Sequence, residues 1–175
     1  MQIERIEELR LTPSNDQAIA DLLALCFETD FGGRSYFMQR HHVRFVAREN
    51  GKIIGHIGLT FRSIRMGQTL TPVIGVADVA THPDWQGKRI AATLLDSAIA
   101  EAGQSLAHFM LLFGDAGIYA RAGFRKADNK MTYVALDGAR TGSVQTAQSD
   151  VLMVLPTGTR DWDGDCDLDL LGHLF

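Results

Sequence analysis

The apolar positions of this chain change period several times, and each change marks an element. Ile3 to Leu11 reads as a strand, after which Thr12-Pro13 supplies a cap and a first-turn proline for a helix. Ile19, Leu22, Leu23 and Cys26 fall at i, i+3, i+4 and i+7, so one stripe of that helix faces a core. After a loop from Asp30 to Arg34 and a short helical stretch, Val43, Phe45 and Ala47 alternate with Arg44 and Arg48 as far as Asn50-Gly51, a strong hairpin signal. The returning strand carries Ile57, Leu59 and Phe61 on one face, and Gly67 turns the chain into a long strand from Leu70 to Thr81. Helical spacing then takes over through Ile90, Ala91, Leu94, Leu95, Ala98, Ile99 and Ala102, ending at Gly103. Phe109 to Phe113 is an unbroken apolar run, as expected of a strand covered on both faces. A short helix over Ala116 to Ala122, a strand from Met131 to Leu136 and a last strand from Val151 to Leu155 complete the pattern. The tail, Thr157 to Phe175, is acidic and reads as irregular.

A meander followed by strand, crossover helix and strand predicts an α/β (α+β) fold. Its sheet is mixed and mostly antiparallel, six- to seven-stranded, with a parallel pair in the middle and helices on both faces. The length of 175 residues suits one domain, residues 1–175, with the acidic tail 157–175 as its end. With 46% hydrophobic and 22% charged residues the composition is that of a globular protein. No apolar run reaches the roughly 18 residues of a bilayer span, and the first residues lack a signal-peptide stretch, so the expected location is cytoplasmic and no membrane partner is expected. Cys26 and Cys166 have neither disulfide-framework nor metal spacing. A net charge of −4 without a basic stripe excludes a nucleic-acid surface and favours a cationic partner.

The chemistry concentrates where the long strand passes through a turn into the second long helix, Val79-Ala80-Thr81-His82-Pro83-Asp84-Trp85-Gln86-Gly87-Lys88-Arg89-Ile90-Ala91. Unpaired N–H groups and the helix dipole converge at such a junction and bind anions. Small residues at Gly87, Ala91 and Ala92 let phosphate oxygens approach the backbone, and Lys88 and Arg89 add charge.

This stretch resembles the acetyl-CoA motif Gln/Arg-x-x-Gly-x-Gly/Ala of the GNAT superfamily (GCN5-related N-acetyltransferases). Gln86 and Ala91 match, and Arg89 stands at the central glycine. Ile118-Tyr119-Ala120-Arg121-Ala122-Gly123-Phe124 resembles the same superfamily's Tyr-x-x-x-Gly-Phe. The resemblance covers about Ile53 to Leu136 and implies a GNAT fold with acetyl-CoA as cosubstrate and no metal. It implies that Gln86, Gly87, Lys88, Arg89, Ile90, Ala91 and Ala92 bind the pyrophosphate, that Val79, Ala80 and Thr81 bind pantetheine, and that Tyr119 protonates the departing CoA thiolate. The acceptor it implies is a small-molecule amine, attacked directly in a ternary complex, and it admits a homodimer.

Arg89 is similar to the arginine of aminoglycoside 2'-N-acetyltransferases, which carry Asp-Trp-Arg-Gly-Gln-Arg where this chain has Asp84 to Arg89. Phe27-Glu28-Thr29-Asp30-Phe31 resembles that branch's Phe-x-x-Asp-Phe, which makes Asp30 and the terminal Phe175 substrate-binding candidates. Ala77 replaces that branch's glutamate, and Asp78 is adjacent. The tail Asp161 to Asp169 also resembles nodulation acyltransferases. Its alternating aspartates lack an EF-hand's glycine and glutamate, so no metal site is expected. For a base the chain offers Asp78 first, then His82, His56 and the Phe175 carboxylate. His41, His42, His108 and His173 read as structural or solvent-facing. Two other functions fit the same motifs: a CoA-binding sensor without turnover, and acetylation of protein N-termini or lysines.

Overall fold

The computed structural model describes residues 1–114, 117–137 and 139–175. Its strands are β1 (Gln2–Glu7), β2 (Val43–Glu49), β3 (Lys52–Met66), β4 (Thr69–Thr81), β5 (Phe109–Phe113), β6 (Arg125–Lys126), β7 (Met131–Asp137), β8 (Arg140–Ala147), β9 (Leu152–Pro156) and β10 (Leu168–Asp169). The α-helices are α1 (Pro13–Cys26), α2 (Ile90–Gly103) and α3 (Gly117–Arg121). Thr12 caps α1, its hydroxyl accepting the Asn15 N–H at 3.2 Å with Pro13 in the first turn. No helix among the described residues is long and apolar enough to cross a membrane.

All ten strands join one sheet, ordered β6-β9-β5-β4-β3-β10-β7-β8, with β1 and β2 branching from β3. β4 and β5 form the parallel pair, and α2 is their crossover. The helices cover opposite faces, which the alternation along β2 makes explicit. Phe45 and Ala47 pack with Ile90, Leu94, Leu95 and Ala98 of α2, whereas Val46 between them packs with Ile19, Leu22 and Leu23 of α1. A third core, beneath the C-terminal half of the chain, joins Ile64, Val73, Phe109, Leu111, Met131 and Leu168.

The mixed sheet and two-sided helices are as predicted, but the described residues form ten strands rather than six or seven. The first strand stops at Glu7, and a 3-10 turn over Glu8–Arg10 follows it. Residues 35–42 form bends, not a short helix. α3 ends at Arg121, and Ala116, where that helix is expected to begin, lies outside the described residues. β8 is an added strand, exposed along its whole length, and thus has none of the apolar alternation by which strands are read. The tail is not irregular throughout. β10 lies between β3, to which it is antiparallel, and β7, to which it is parallel, because Leu168 and Leu170 are fully apolar anchors among the aspartates.

Candidate active site

The site is built on a fault in β4. The β3–β4 register runs one to one from Met66↔Thr69 to Gly58↔Ala77 and resumes at His56↔Ala80, so Asp78 and Val79 face a single β3 residue, Ile57. Asp78 sits in the bulge at φ +51°, a left-handed conformation that aspartate tolerates better than most side chains. On its other edge β4 is bonded to β5 only from Val73↔Phe109 to Val76↔Leu112. From Ala77 to Thr81 that edge has left β5, and apart from the Thr81 carbonyl, which accepts from Cys26 Sγ, it is open to another backbone partner.

The bulge turns the Asp78 carboxylate into a buried polar cluster. His41 Nε2–H donates to Asp78 Oδ2 at 2.9 Å, and the Phe37 N–H donates to the same oxygen at 3.2 Å. The Asp78 side chain is 8% exposed, yet Oδ1 has no hydrogen-bond partner among the described residues. Burial pushes the Asp78 pKa up, but the hydrogen bonds from His41 and the Phe37 N–H help pull it further down, and the carboxylate ends below its usual range. His41 packs its ring flat on Gly58, where a Cβ would come within 2.4 Å of the ring. His41 is therefore neither a bystander nor solvent-facing. It is the side chain that orients Asp78.

His56 lies behind the bulge and is fully buried. Its Nε2 is 3.2 Å from Arg44 Nη1, which can only donate, so Nε2 accepts and Nδ1 carries the proton donated to the Asp78 carbonyl at 2.7 Å. Burial, the neighbouring His41 and Arg44 lower the His56 pKa from 6.5 to about 3, and the ring is neutral. It is thus no base for catalysis, and it fixes the bulge backbone. Unfolding frees His56 to take a proton below pH 6.5, whereas the folded protein resists until about pH 3. Stability therefore falls as the pH drops through that window, by roughly 1.4 kcal/mol per pH unit for this one group. His173, also lowered by burial, adds to the slope. Urea unfolding midpoints across the window should show a shallower slope for His56→Gln than for the wild type.

A cavity of about 200 Å³ opens in front of Asp78. Its walls combine Phe27, Phe31 and Phe37, from the segment after α1, with Val76 of β4, Phe113 of β5 and Phe175. The Phe175 ring lies against Gly75, where any Cβ would overlap it at 1.6 Å, and the Arg62 guanidinium covers it at 3.9 Å from the ring centre. Asp30 is not a wall residue. Its Oδ1 accepts the Gly32 N–H at 2.6 Å and closes a turn that places its neighbours Thr29 and Phe31 in the lining. His82 is engaged elsewhere too, accepting the Asp84 N–H at the start of a 3-10 turn over Pro83–Trp85.

A second cavity, of about 600 Å³, lies at the N-terminus of α2. It is lined by Thr81, Gln86, Gly87, Arg89, Ile90, Ala91 and Ala92 and, from the α3 side, by Ile118 and Arg121. Gly87 at φ +75° and Arg89 at φ +61° fold the turn back, and Arg89 caps α2 without a side-chain hydrogen bond. The first α2 bond runs from the Thr93 N–H to the Arg89 carbonyl, which leaves the Ile90, Ala91 and Ala92 N–H groups free of helix partners. Thr81 Oγ1 is buried beside this cavity without a partner among the described residues. The donors suit an anion with phosphate oxygens. Lys88 instead lies over the Trp85 ring at 4.1 Å, and Val79 and Ala80 pack into the α2-side and α1-side cores. The strand from Asp78 to Thr81, roughly 10 Å long at strand spacing, borders both cavities.

Tyr119 is on α3, just past the point where β4 and β5 diverge. Its ring packs edge-on against Phe124, 6.2 Å between centres, and burial raises its pKa so that it stays protonated.

Residues 9–127 match the family described as the Acetyltransferase (GNAT) domain. The chain belongs to the GNAT acetyltransferase family. Among solved structures, this GNAT chain is similar to a GNAT acetyltransferase from Brucella melitensis in complex with acetyl-CoA, with 19% identity, 95% of each chain covered and a TM-score of 0.60. The GNAT N-acetyltransferase YhbS from Escherichia coli in complex with CoA has a TM-score of 0.63 at 18% identity, over 90% of this chain and 81% of its own. The ribosomal-protein-S18-alanine N-acetyltransferase from Escherichia coli has a TM-score of 0.61 at 16% identity, over 91% and 97%. No curated protein matches the chain at a significant level. Among the residues lining the two cavities, Arg121 and His41 differ in how far the sequence points to them. Arg121 sits inside the second motif and was legible there as a charge, but nothing near His41 in sequence announced its pairing with Asp78, 37 residues away.

Proposed function

We propose that this GNAT protein transfers an acetyl group from acetyl-CoA to the nitrogen of an amine in a ternary complex. The observation that carries the reading is the free β4 edge between Asp78 and Thr81, which borders both an anion cradle and a small pocket ending in a carboxylate. When bound, acetyl-CoA supplies an activated thioester carbonyl. Backbone N–H groups of Ile90, Ala91 and Ala92, with Arg89 and Arg121, hold its pyrophosphate, and the edge from Val79 to Thr81 offers backbone partners to the amides of pantetheine.

Asp78 Oδ1 receives the N–H of the amine and takes its proton as the nitrogen bonds to the carbonyl carbon. Tyr119 gives its hydroxyl proton to the sulfur as the C–S bond breaks. One proton is accepted and one is donated, and exchange with solvent restores Asp78 and Tyr119. Neither cysteine enters. Burial raises both thiol pKa values, and Cys26 Sγ donates to the Thr81 carbonyl. Phe175 contributes its ring to the acceptor wall.

Free-thiol release from acetyl-CoA in the presence of amines tests the reading, and no acceptor-dependent release from any amine would sink it. Tyr119→Phe should lower kcat by about 10²-fold, with little change in the KM for acetyl-CoA, since the lost group acts on the leaving sulfur.

A further inference from the structure

The acceptor pocket carries its own chemical signature. Among the described residues Asp78 is the only side chain in the lining with a permanent charge, and its Oδ1 has no hydrogen-bond partner there although the side chain is only 8% exposed. A largely buried carboxylate with one oxygen left for the cavity suits a cationic N–H at that spot. Phe27, Phe31, Phe37, Phe113 and Phe175 form the aromatic walls, beside Thr29, Gln39, Thr60 and His173, and Phe27, Phe31 and Phe37 pack in series, tilted by 40° and 50° with ring centres 5.2 Å apart. Aromatic faces attract an ammonium group and also hide an apolar body from water. The volume of about 200 Å³ is below the roughly 300–1,000 Å³ of sites that take drug-sized ligands.

From these three features we infer that the acceptor is a small primary amine with a single cationic nitrogen and an apolar aryl or alkyl body. The ammonium docks on Asp78 Oδ1, held by His41 from the other oxygen, and the body fills the phenylalanine cage; the ammonium releases one proton to solvent before attack, and the neutral amine gives its second to Asp78 as the C–N bond forms. A polyamine would leave a second ammonium without a second side-chain counter-charge among the described lining residues, and an aminoglycoside exceeds a cavity of about 200 Å³. This inference rests on the proposed acetyl transfer for its chemistry and on the cavity alone for its ligand.

Two measurements on the full chain separate the inference from that reading. Calorimetric titration with 2-phenylethylamine, hexylamine, 2-phenylethanol, spermidine, an aminoglycoside and a short peptide reads the pocket without turnover. The two monoamines should bind at least about tenfold more tightly than every other compound, the neutral alcohol included. With acetyl-CoA added, kcat/KM from thiol release should follow the same order. Tighter binding of spermidine, the aminoglycoside or the peptide overturns the inference, as does equal binding of 2-phenylethanol. If the monoamines bind in that order but acetyl-CoA yields no thiol with any of them, the acetyl-transfer reading fails and the pocket assignment stands.

Discussion

Asp78→Asn is expected to lower kcat/KM for the amine by about 10²- to 10³-fold while leaving the melting temperature nearly unchanged. The two halves of the expectation have separate causes. Asparagine is at ease at φ +51°, so the bulge survives, and its amide oxygen still accepts from His41 Nε2 and the Phe37 N–H. What disappears is the charge on Oδ1, together with its capacity to take a proton. Asp78→Ala is a poorer probe, because it strands the buried His41 N–H and strains the left-handed backbone. The pH dependence has a defined sign. Because the Asp78 pKa lies below its usual value, the carboxylate is ionised throughout the neutral range, and its contribution is lost only as the pH falls through that depressed pKa. The wild type should thus show no loss of Asp78 function between neutral pH and the ordinary carboxylate range. A loss of less than about tenfold in kcat/KM for the asparagine variant, measured with saturating acetyl-CoA, would remove Asp78 from the reaction.

The donor half of this site was legible in the sequence and the acceptor half largely was not, for a physical reason. The pyrophosphate cradle is local. Gly87, Arg89 and the first residues of α2 lie within one turn of chain, so the spacing of Gln86 to Ala92 states the geometry directly. The acceptor site depends on long-range pairing. Strict alternation places Ala77 and Asp78 on opposite faces of β4, yet both line the 200 Å³ cavity, because the bulge interrupts the alternation there. Nothing in Ala77-Asp78-Val79 declares a bulge, since none of the three is glycine. His41 is decided by Gly58 and Asp78, and Phe175 by Gly75 and Arg62, contacts that span up to 113 residues of chain in the case of Arg62 and the terminal ring. Asp30 shows the converse, a motif match whose carboxylate goes to its own turn and whose neighbours do the lining.

Arg44→Met should destabilise the fold by about 3–5 kcal/mol, the range for breaking a buried ion pair from one side. Arg44 is wholly buried, and every donor group on it is used. Nε and Nη2 meet the Glu8 carboxylate at 2.7 and 3.0 Å, and Nη1 reaches the Ser35 carbonyl at 2.6 Å and His56 Nε2 at 3.2 Å. Without it, Glu8 keeps only the half-exposed Arg40, at 2.9 Å, and two further acceptors lose their partner. The Glu8 pKa, pushed up by burial but held below its usual value chiefly by Arg44 and Arg40, should rise in the variant. The variant starts from lower stability, but it should lose less of what remains than the wild type does as the pH falls through the carboxylate range, because Glu8 no longer resists protonation in the folded state. The double variant Glu8→Leu, Arg44→Met removes both charges and should recover most of the lost stability, as replacement of a whole buried pair often does. Recovery of activity is a different matter. Arg44 holds the ring of His56, and His56 holds the Asp78 carbonyl, so the double variant regains the fold without regaining the tether on the bulge. Urea midpoints restored to near wild type, with kcat/KM still depressed, would show that this ion pair serves the placement of Asp78 and not the core alone. Full recovery of both would reduce it to packing.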